Sequence, residues 1–312
     1  MPENLSFAGQ AAIVTGAGRG LGRAYAIGLA RRGAAVVVND VTAESADSVV
    51  AEITASGGRA VASYGSVASE AEGQAMVDLA LAQFGSIEVV VHNAGILRNR
   101  RFGELAEEDI DEVLGVHLKG GFFVAQPAYR EMHRNGYGRI VFVSSTSGLF
   151  GNINMTNYTA SKAGLFGLCN GLALEGREHG VLTNCVLPKA KTTITHNNAV
   201  QAGMRAMGTL DERRTPESVE PLVTFLASKE CSVTGEVFSA CLGRYSRVFV
   251  GVAPGWLAAD ANAVSPEDIR DHFAIIEDHG FSGLVPNSLN DELDVVEQMI
   301  KSAGYLDADQ AQ

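Results

Sequence analysis

The segment NYTASKAG, residues 157–164, contains a tyrosine and a lysine at a spacing that suits acid/base chemistry. Tyr158 is the only one of the seven tyrosines with a lysine four positions later. On a helix, Tyr158 and Lys162 would lie on the same face, one turn apart. A phenol has a pKa of about 10 and is a poor base at neutral pH unless a nearby cation favours its ionised form. The pair therefore predicts an acid/base group whose pKa is tuned by the lysine.

A carbonyl or alkoxide oxygen at such a site needs a second hydrogen-bond donor. The segment VFVSSTSG, residues 141–148, has the pattern of a buried strand that ends in hydroxyl side chains. Ligands of α/β folds bind at the carboxyl ends of the strands. Ser144 and Ser145 are therefore both candidates for the donor that polarises a substrate oxygen.

A glycine-rich segment, TGAGRGLG at residues 15–22, follows the first strand-like run and opens a helix-like one. Glycines at 16, 20 and 22 allow a close approach of the backbone to a pyrophosphate, and a helix N-terminus offers free N–H groups and partial positive charge. Between a strand and a helix, this pattern predicts a dinucleotide-binding turn.

Asp40 ends the second strand-like run, 20 residues after Gly20. A carboxylate at this place accepts hydrogen bonds from the adenosine ribose hydroxyls and would repel a 2′-phosphate, which favours NAD over NADP. Arg19 in the glycine turn leaves an alternative open. Its guanidinium could pair with a 2′-phosphate, or it could form an ion pair with Asp40.

Seven short β-branched runs alternate with longer helix-like segments along residues 1–250. Near-continuous apolar strands are typical of parallel sheets that are covered on both faces. We therefore predict an α/β fold: a Rossmann-like doubly wound sheet of seven parallel strands. The strand-like runs are AAIVTG, AAVVVND, AVASY, IEVVVHNAG, RIVFVSS, VLTNCVLP and GEVFSA, and the crossover helices are predicted at 20–32, 43–56, 69–84, 107–134 and 156–179.

Residues 251–312 differ from the rest of the chain in charge. They hold twelve acidic and two basic residues, a net charge of −10 out of −12 for the whole chain. Two helices are predicted there, in SPEDIRDHFAIIEDHG and NDELDVVEQMIKSAG. We therefore predict a dinucleotide-binding catalytic domain at 1–250 and an acidic helical extension at 251–312.

Composition excludes several classes of function. The acidic balance gives no basic face for nucleic acid. The sequence has no apolar run of the roughly 20 residues that a membrane helix needs, which predicts a cytoplasmic protein without a membrane partner. The four scattered cysteines form no CxxC pair and predict neither a metal site nor a disulfide framework.

Four motifs, TGAGRGLG, HNAG, SSTSG and YTASK, resemble in their order and spacing the short-chain dehydrogenase/reductase superfamily. The resemblance implies that Ser145 polarises the substrate oxygen, that Tyr158 is the acid/base and that Lys162 is its partner. It also implies a cofactor site made of Gly16, Arg19, Gly20, Leu21, Gly22, Asp40, Ser66, Val67, Asn93, Ala94, Gly95, Tyr158, Lys162, Pro188 and Thr193.

Longer segments, among them VVHNAGILRNRRF, VHLKGGFF and NYTASKAGL, resemble the (3R)-hydroxyacyl-CoA dehydrogenase part of the peroxisomal multifunctional enzymes of type 2. This resemblance covers nearly the whole chain. It implies NAD-dependent oxidation of a (3R)-hydroxyacyl-CoA to the 3-ketoacyl-CoA, in β-oxidation of fatty acids or sterol side chains. It also implies a free-standing bacterial-type protein that assembles as a homodimer or homotetramer.

Four positions depart from the usual superfamily pattern. His92 replaces the first asparagine of NNAG, and Gly65 stands where an aspartate usually meets the adenine. Lys189 replaces a glycine after the sixth strand. His117 replaces the asparagine of NxxG, which implies either a role in the proton relay or a helix-face histidine that is satisfied by a backbone carbonyl.

Basic residues follow two strand ends on the rim of the predicted site. CoA carries several phosphate charges, which Arg and Lys clusters suit. The residues are Arg98, Arg100, Arg101, Lys189 and Lys191, and they are predicted to bind an acyl-CoA substrate. The alternative is that these side chains are solvated or form salt bridges.

Two other kinds of enzyme and one non-enzyme compete with this hypothesis. A steroid or other secondary-alcohol dehydrogenase and an NADPH-dependent 3-ketoacyl reductase would use the same three side chains. A Rossmann module that senses NAD without turnover would not need Ser145, Tyr158 and Lys162 together, so their presence argues against it.

Overall fold

The computed structural model describes residues 5–190, 215–241, 243–260 and 264–278. The chain forms two compact units, with the boundary between Val248 and Phe249. The predicted residues Lys191 and Thr193 lie outside the described residues, as does the second predicted tail helix at 290–304.

The first unit is built on an eight-stranded sheet in the order β3-β2-β1-β4-β5-β6-β7-β8. Strands β1 to β7 pair in parallel. Their valine, isoleucine and alanine side chains pack under helices on both faces of the sheet. The order reverses between β1 and β4, which lie side by side although distant in sequence. The strands are β1 Ala11–Thr15, β2 Ala35–Asn39, β3 Arg59–Ser63, β4 Val89–His92, β5 Gly138–Val143, β6 Val181–Lys189, β7 Val237–Cys241 and β8 Arg244–Val248.

The α/β fold and its seven parallel strands are confirmed, but the prediction of a seven-stranded sheet omits one strand. The eighth strand, β8, pairs antiparallel with β7, with Cys241 opposite Arg244. Gly243 in the connection has φ +87°, a left-handed conformation that glycine adopts without a Cβ penalty. The run RYSRV carries two arginines and mixes exposed with half-buried positions, so it lacks the continuous apolar character of the parallel strands.

Helices cover both faces of the sheet. Helices α1, α2 and α8 pack on one face in a core that includes Tyr25 and Leu226. Helices α3, α5 and α7 pack on the other, around Met76 and Leu165. The helices are α1 Gly20–Arg31, α2 Ala43–Ala55, α3 Glu70–Phe84, α4 Glu107–Leu114, α5 Gly120–Asn135, α6 Thr146–Phe150, α7 Thr156–Gly176 and α8 Glu220–Ala227, with short 3₁₀ turns at Phe102–Glu104, Arg177–His179 and Pro216–Ser218.

The crossover predicted as one helix at 107–134 is two helices joined by a π-turn. Gly115–Lys119 forms this wide turn between α4 and α5. Such turns interrupt an α-helix without ending it and are frequent at functional sites. His117 lies inside this π-turn.

The second unit contains the first predicted tail helix, α9, at Pro266–Ile276. The Ser265 hydroxyl accepts a hydrogen bond from the Asp268 N–H at 3.1 Å, and the Asp268 carboxylate accepts from the Ser265 N–H at 2.9 Å. This reciprocal capping box fixes where the helix begins. The Trp256 ring stacks on His272, with ring centroids 3.9 Å apart. Among the described helices of both units, none has the length and hydrophobicity that crossing a membrane requires.

Arg139 on β5 holds together the end of the sheet opposite the strand termini that form the site. Its side chain is only 6% exposed. The guanidinium donates hydrogen bonds of 2.8–3.2 Å to the carbonyls of Gly138, Gly180, Ser228 and Cys231. These carbonyls belong to the start of β5, the residue before β6 and the segment after α8, so one buried cation joins three parts of the chain.

We expect Arg139→Met to lower the free energy of unfolding by about 2–4 kcal/mol, because buried carbonyls lose their donors. Arg139→Lys should recover little, since an ammonium cannot reach the same carbonyls with a planar fork of donors. Urea unfolding measures both. Arg134→Met is the control: exposed Arg134 pairs with Glu131 on the same helix, and its loss should cost about 0.5 kcal/mol or less. If Arg139→Met and Arg134→Met lower the free energy of unfolding equally, the buried hydrogen bonds of Arg139 do not stabilise the sheet as described.

Candidate active site

A cleft of about 490 Å³ opens at the carboxyl ends of the parallel strands. It is lined by most of the residues predicted to bind a cofactor and by all of the predicted catalytic residues. The lining includes Gly16, Arg19, Gly20, Leu21, Asp40, Ser66, Val67, Asn93, Ala94, Gly95, His117, Ser144, Ser145, Tyr158, Lys162, Pro188 and Lys189. Gly22 does not line the cleft, although it belongs to the turn that does.

The glycine turn joins β1 to α1 and leaves the helix N-terminus open. A Cβ on Gly22 would lie 2.2 Å from the Gly16 carbonyl oxygen, so this glycine is needed for the turn itself. Arg19 is the N-cap, yet its side chain makes no cap hydrogen bond, and the first turn of α1 contains no acidic residue. The uncapped N–H groups and the positive end of the helix dipole fit an anionic pyrophosphate.

Asp40 follows β2 and is held by the backbone on both sides. One carboxylate oxygen accepts from the Gly18 N–H and the other from the Thr42 N–H, each at 3.0 Å. Each oxygen retains a lone pair for a further donor, as a ribose hydroxyl would supply. The structure shows no ion pair between Asp40 and Arg19, both of which are described.

Asn39, at the end of β2, was not singled out from the sequence but shapes the part of the cleft where the adenine is predicted to bind. Its amide donates to the Ser63 carbonyl at 3.3 Å and to the Gly65 carbonyl at 2.8 Å. These bonds fix the loop after β3, which presents Ser66 and Val67 to the cleft. The loop backbone is therefore held in place although the usual aspartate is replaced by glycine.

The end of β4 is tied to the glycine turn. The Asn93 amide donates to the Thr15 and Gly16 carbonyls at 3.0 and 3.2 Å. The Thr15 hydroxyl accepts from the N–H groups of Asn93 and Ala94, both at 3.0 Å. A Cβ on Gly16 would lie 2.8 Å from the Ala94 Cα, so β1 and β4 approach closely here. The signal that identifies Thr15 in the sequence is its place directly before the glycines.

Lys162 lies on α7 and is 3% exposed. Its Nζ donates to the Val143 carbonyl at the end of β5, at 2.7 Å. Burial lowers the pKa of Lys162 from 10.5 to about 7. The ammonium is therefore held in a poorly solvated place, where a nearby negative charge would have a large effect on its protonation.

The hydroxyls of the two candidate serines make different hydrogen bonds in the structure. The Ser144 hydroxyl donates to the Lys162 carbonyl at 2.8 Å, and this serine is 2% exposed. Ser145 is the N-cap of α6, where its hydroxyl accepts from the Ser147 N–H at 3.1 Å. The cap does not use the Ser145 hydroxyl proton, which can be donated to Tyr158 or to a substrate oxygen, so the geometry favours Ser145 over Ser144.

Tyr158 lies one helical turn before Lys162, and the lysine Nζ is 5.7 Å from the centre of the phenol ring. Burial raises the pKa of Tyr158 above its ordinary value of 10.0, and a hydrogen bond with Ser145 opposes that shift. The hydroxyls of Tyr158 and Ser145 therefore converge on one place in the cleft, where an oxygen of a substrate could contact both.

His117 borders Tyr158 from the π-turn. The two rings meet edge to face, with centroids 5.1 Å apart. The His117 Nε2 lies 2.8 Å from the Ile96 carbonyl oxygen and 3.1 Å from the Ile96 N–H nitrogen. Its Nδ1 is buried without a hydrogen-bond partner among the described residues. Burial, followed by the charge of Lys162, lowers the pKa of His117 well below 6.5, so the ring is neutral at physiological pH.

Asn157, beside the predicted tyrosine, positions the loop that follows β4. Its amide donates to the Arg98 carbonyl at 3.1 Å and to the Asp109 carbonyl at 3.0 Å, while its oxygen accepts from the Tyr158 N–H at 2.8 Å. No local pattern singled out Asn157, because the two carbonyls to which its amide donates lie 59 and 48 positions away in the chain.

The basic residues after β4 do not line the cleft. Arg98 forms a 2.6 Å ion pair with Glu112, and Arg100 forms one of 2.6 Å with Asp109. Arg101 is exposed. Of the four described residues predicted to bind CoA, Lys189 alone lines the cleft.

Comparison with known proteins agrees with the site geometry. Residues 10–203 match the family described as short chain dehydrogenase. Peroxisomal multifunctional enzyme type 2 of Mus musculus is 41% identical over 288 residues, which cover 89% of this chain but only 38% of the mouse protein. Hydroxyacyl-CoA dehydrogenase ChsB1 of Mycobacterium tuberculosis is 37% identical over 283 residues, covering 85% of this chain and 89% of that protein.

A solved structure leads to the same family. Full-length peroxisomal multifunctional enzyme type 2 of Drosophila melanogaster superposes with a TM-score of 0.81 at 31% identity, covering 96% of this chain and 50% of that one. The resemblance inferred from the sequence motifs is thereby confirmed. The chain belongs to the short chain dehydrogenase family and is an oxidoreductase that acts on CH–OH groups with NAD(P).

Proposed function

We propose that this chain oxidises a (3R)-hydroxyacyl-CoA to the 3-ketoacyl-CoA with NAD as the acceptor. The observation that carries the proposal is the convergence of Ser145, Tyr158 and Lys162 in the cleft that also contains the glycine turn and Asp40. The names of the relatives, a hydroxyacyl-CoA dehydrogenase and a multifunctional enzyme, support the substrate class.

The reaction removes a proton and a hydride from a secondary alcohol. Tyr158 in its phenolate form accepts the proton of the substrate hydroxyl, while the Ser145 hydroxyl donates a hydrogen bond to the same oxygen. A nicotinamide cofactor, when bound, would supply the acceptor for the hydride of the carbinol carbon. The carbon–oxygen double bond forms from the electrons of the O–H bond.

Lys162 makes this proton transfer feasible near neutral pH. Its ammonium favours the phenolate of Tyr158, and burial makes that attraction strong because water screens it little. The phenolate in turn favours the ammonium, which raises the lysine pKa from its value of about 7. The two groups therefore titrate as a pair, and the pair holds one positive and one negative charge in the state that is ready to oxidise.

The preference for NAD rests on Asp40. Its carboxylate is held by the Gly18 and Thr42 N–H groups and would repel the 2′-phosphate of NADP. An NADPH-dependent 3-ketoacyl reductase is the second candidate, because Arg19 lines the cleft and does not pair with Asp40. Oligomeric state, compartment and the division of roles between the two units remain predictions.

Substrate and stereochemistry are tested with purified full-length chain, NAD or NADP, and the (3R) and (3S) epimers of a medium-chain hydroxyacyl-CoA. We expect NADH formation with the (3R) epimer only. Tyr158→Phe should lower kcat by about 10²–10⁴-fold, since the acid/base group is lost. Tyr64→Phe, an exposed tyrosine outside the cleft, is the control and should keep wild-type kcat. Cofactor binding without turnover of either epimer would refute the acyl-CoA assignment and direct the screen to steroids and simple secondary alcohols.

Cofactor preference is tested with Asp40→Asn, which keeps an acceptor oxygen and removes the charge. The ratio of kcat/KM for NADP to that for NAD should rise about tenfold or more, because the repulsion of the 2′-phosphate is lost. Asp47→Asn, outside the cleft, should leave the ratio unchanged. A wild-type enzyme that prefers NADP, or an unchanged ratio in Asp40→Asn, would speak against the role of Asp40.

Burial of Lys162 predicts a pH dependence of stability. In the free protein Tyr158 keeps its proton at pH 7–9 because burial raises its pKa. Beside this neutral phenol the pKa of Lys162 is lowered from 10.5 in the unfolded chain to about 7 in the folded protein, so the unfolded state binds more protons between those values. Stability contributed by this group therefore rises with pH across that window. From pH 7 to 9, urea unfolding should show wild type gaining on the order of 2 kcal/mol relative to Lys162→Met. Parallel pH profiles for the two proteins would show that the lysine is not held in a desolvated place.

A further inference from the structure

His92, the last residue of β4, is fully buried between two parts of the site that are distant in sequence. Its Nδ1 lies 3.3 Å from the Thr15 hydroxyl oxygen, directly before the glycine turn. Its Nε2 lies 3.0 Å from the backbone carbonyl oxygen of His117, inside the π-turn. The imidazole thus bridges the cofactor end of the cleft and the helix that borders the acid/base.

The donors and acceptors around His92 determine which nitrogen carries the proton. The Thr15 oxygen already accepts from the N–H groups of Asn93 and Ala94, which fills both of its lone pairs. Its own proton must therefore be donated, and His92 Nδ1 is the acceptor within reach. The His117 carbonyl can only accept, so Nε2 carries the imidazole proton. Burial lowers the pKa of His92 to about 4, which leaves the ring with one proton, as this arrangement requires.

The carbonyl that His92 holds belongs to a residue whose ring contacts Tyr158. The His117 imidazole is fixed from the other side by the Ile96 backbone. The space around it is filled, since a Cβ on Gly95 would lie 2.4 Å from the His117 Cε1. His92 therefore holds the backbone of His117 and Ile96 holds its ring, and a shift of either would move the edge that packs against Tyr158.

We propose that His92 is a positioning residue of the active site: its hydrogen bond to the His117 carbonyl sets the π-turn and, through the His117 ring, the place of Tyr158. The kinetic part of this inference rests on the dehydrogenase reaction proposed above, and the structural part does not. The competing explanation is that His92 is only a satisfied core histidine that contributes to folding.

The tautomer is measured first, in full-length chain labelled with ¹⁵N-histidine. Seven histidines give seven sets of ring signals, and the set that is lost in His92→Phe belongs to His92. We expect neutral His92 with its proton on Nε2 and an unprotonated Nδ1, unchanged between pH 6 and 8. A proton on Nδ1 would overturn the inference, because the bond to the His117 carbonyl would then be absent. This measurement needs neither substrate nor cofactor.

Kinetics separate positioning from folding. His92→Phe keeps a ring but loses both hydrogen bonds, and we expect kcat to fall about 10- to 100-fold, the cost of a small misplacement of a reacting group. KM for the cofactor and for the acyl-CoA should stay within about twofold, since the groups that bind them are unchanged. His92→Gln keeps an N–H donor that can reach the His117 carbonyl and should recover most of kcat.

Asn184→Leu is the matched control for a buried polar loss. Asn184 is 1% exposed, donates to the Val233 carbonyl and accepts from the Glu236 N–H, and does not line the cleft. Asn184→Leu should lower stability and leave kcat unchanged.

The inference fails if His92→Phe keeps wild-type kcat, or if kcat of His92→Gln is no higher than kcat of His92→Phe. If His92→Phe does not fold, the ring signals of His92 are instead identified as those lost in His92→Gln. The position of the proton on the His92 ring then tests the inference. A wild-type chain without activity refutes the proposed function, and the tautomer still decides for or against the bond.

Discussion

The hydrogen bond from the Lys162 side chain to the Val143 carbonyl connects α7, the helix that carries the predicted acid/base pair, to the sheet, and the geometry of the candidate site depends on it. The Ser144 hydroxyl reinforces this connection by donating to the Lys162 carbonyl. Gly148 allows α6 to lie directly on the backbone of α7, since a Cβ there would be 2.8 Å from the Lys162 carbonyl carbon. A buried cation needs fixed dipoles around it, and the end of β5 supplies them. Because Tyr158 lies one turn before Lys162, the same contacts place the phenol.

The parallel sheet determines which other residues can reach this place. β1 and β4 are adjacent, with Val14 beside Val91, although 77 positions separate them in the sequence. Their carboxyl ends therefore lie together, and Thr15 can bond the N–H groups after β4. The residues predicted to bind the cofactor and those predicted to act as acid/base therefore line one cleft at one edge of the sheet. Hydrogen bonds through Thr15 and His92 connect the residue before the glycine turn to the π-turn.

Much of the fold and of the candidate site could be predicted from continuous apolar runs and local motifs in the sequence. The parallel strands, the turn before α1 and the Tyr158–Lys162 pair all depend on residues that are close in sequence. β8 was missed because RYSRV, at an edge, needs only one neighbouring strand and shows no continuous apolar run. Arg98 and Arg100 looked available for phosphate, yet their acidic partners lie 14 and nine positions later on α4. Contacts of this kind depend on how α4 folds back, which local patterns do not specify.

The two histidines that depart from the superfamily pattern are connected to each other in the structure. In the sequence, His92 and His117 are 25 positions apart and look independent. In the structure, the ring of His92 bonds the backbone of His117, and the ring of His117 bonds the backbone of Ile96. His92 uses both of its ring nitrogens, Nδ1 towards Thr15 and Nε2 towards the His117 carbonyl, so one side chain connects two segments of the site. His117 bonds through Nε2 alone, and its Nδ1 is buried without a partner among the described residues. A buried, directional network of this kind tolerates little displacement of its members.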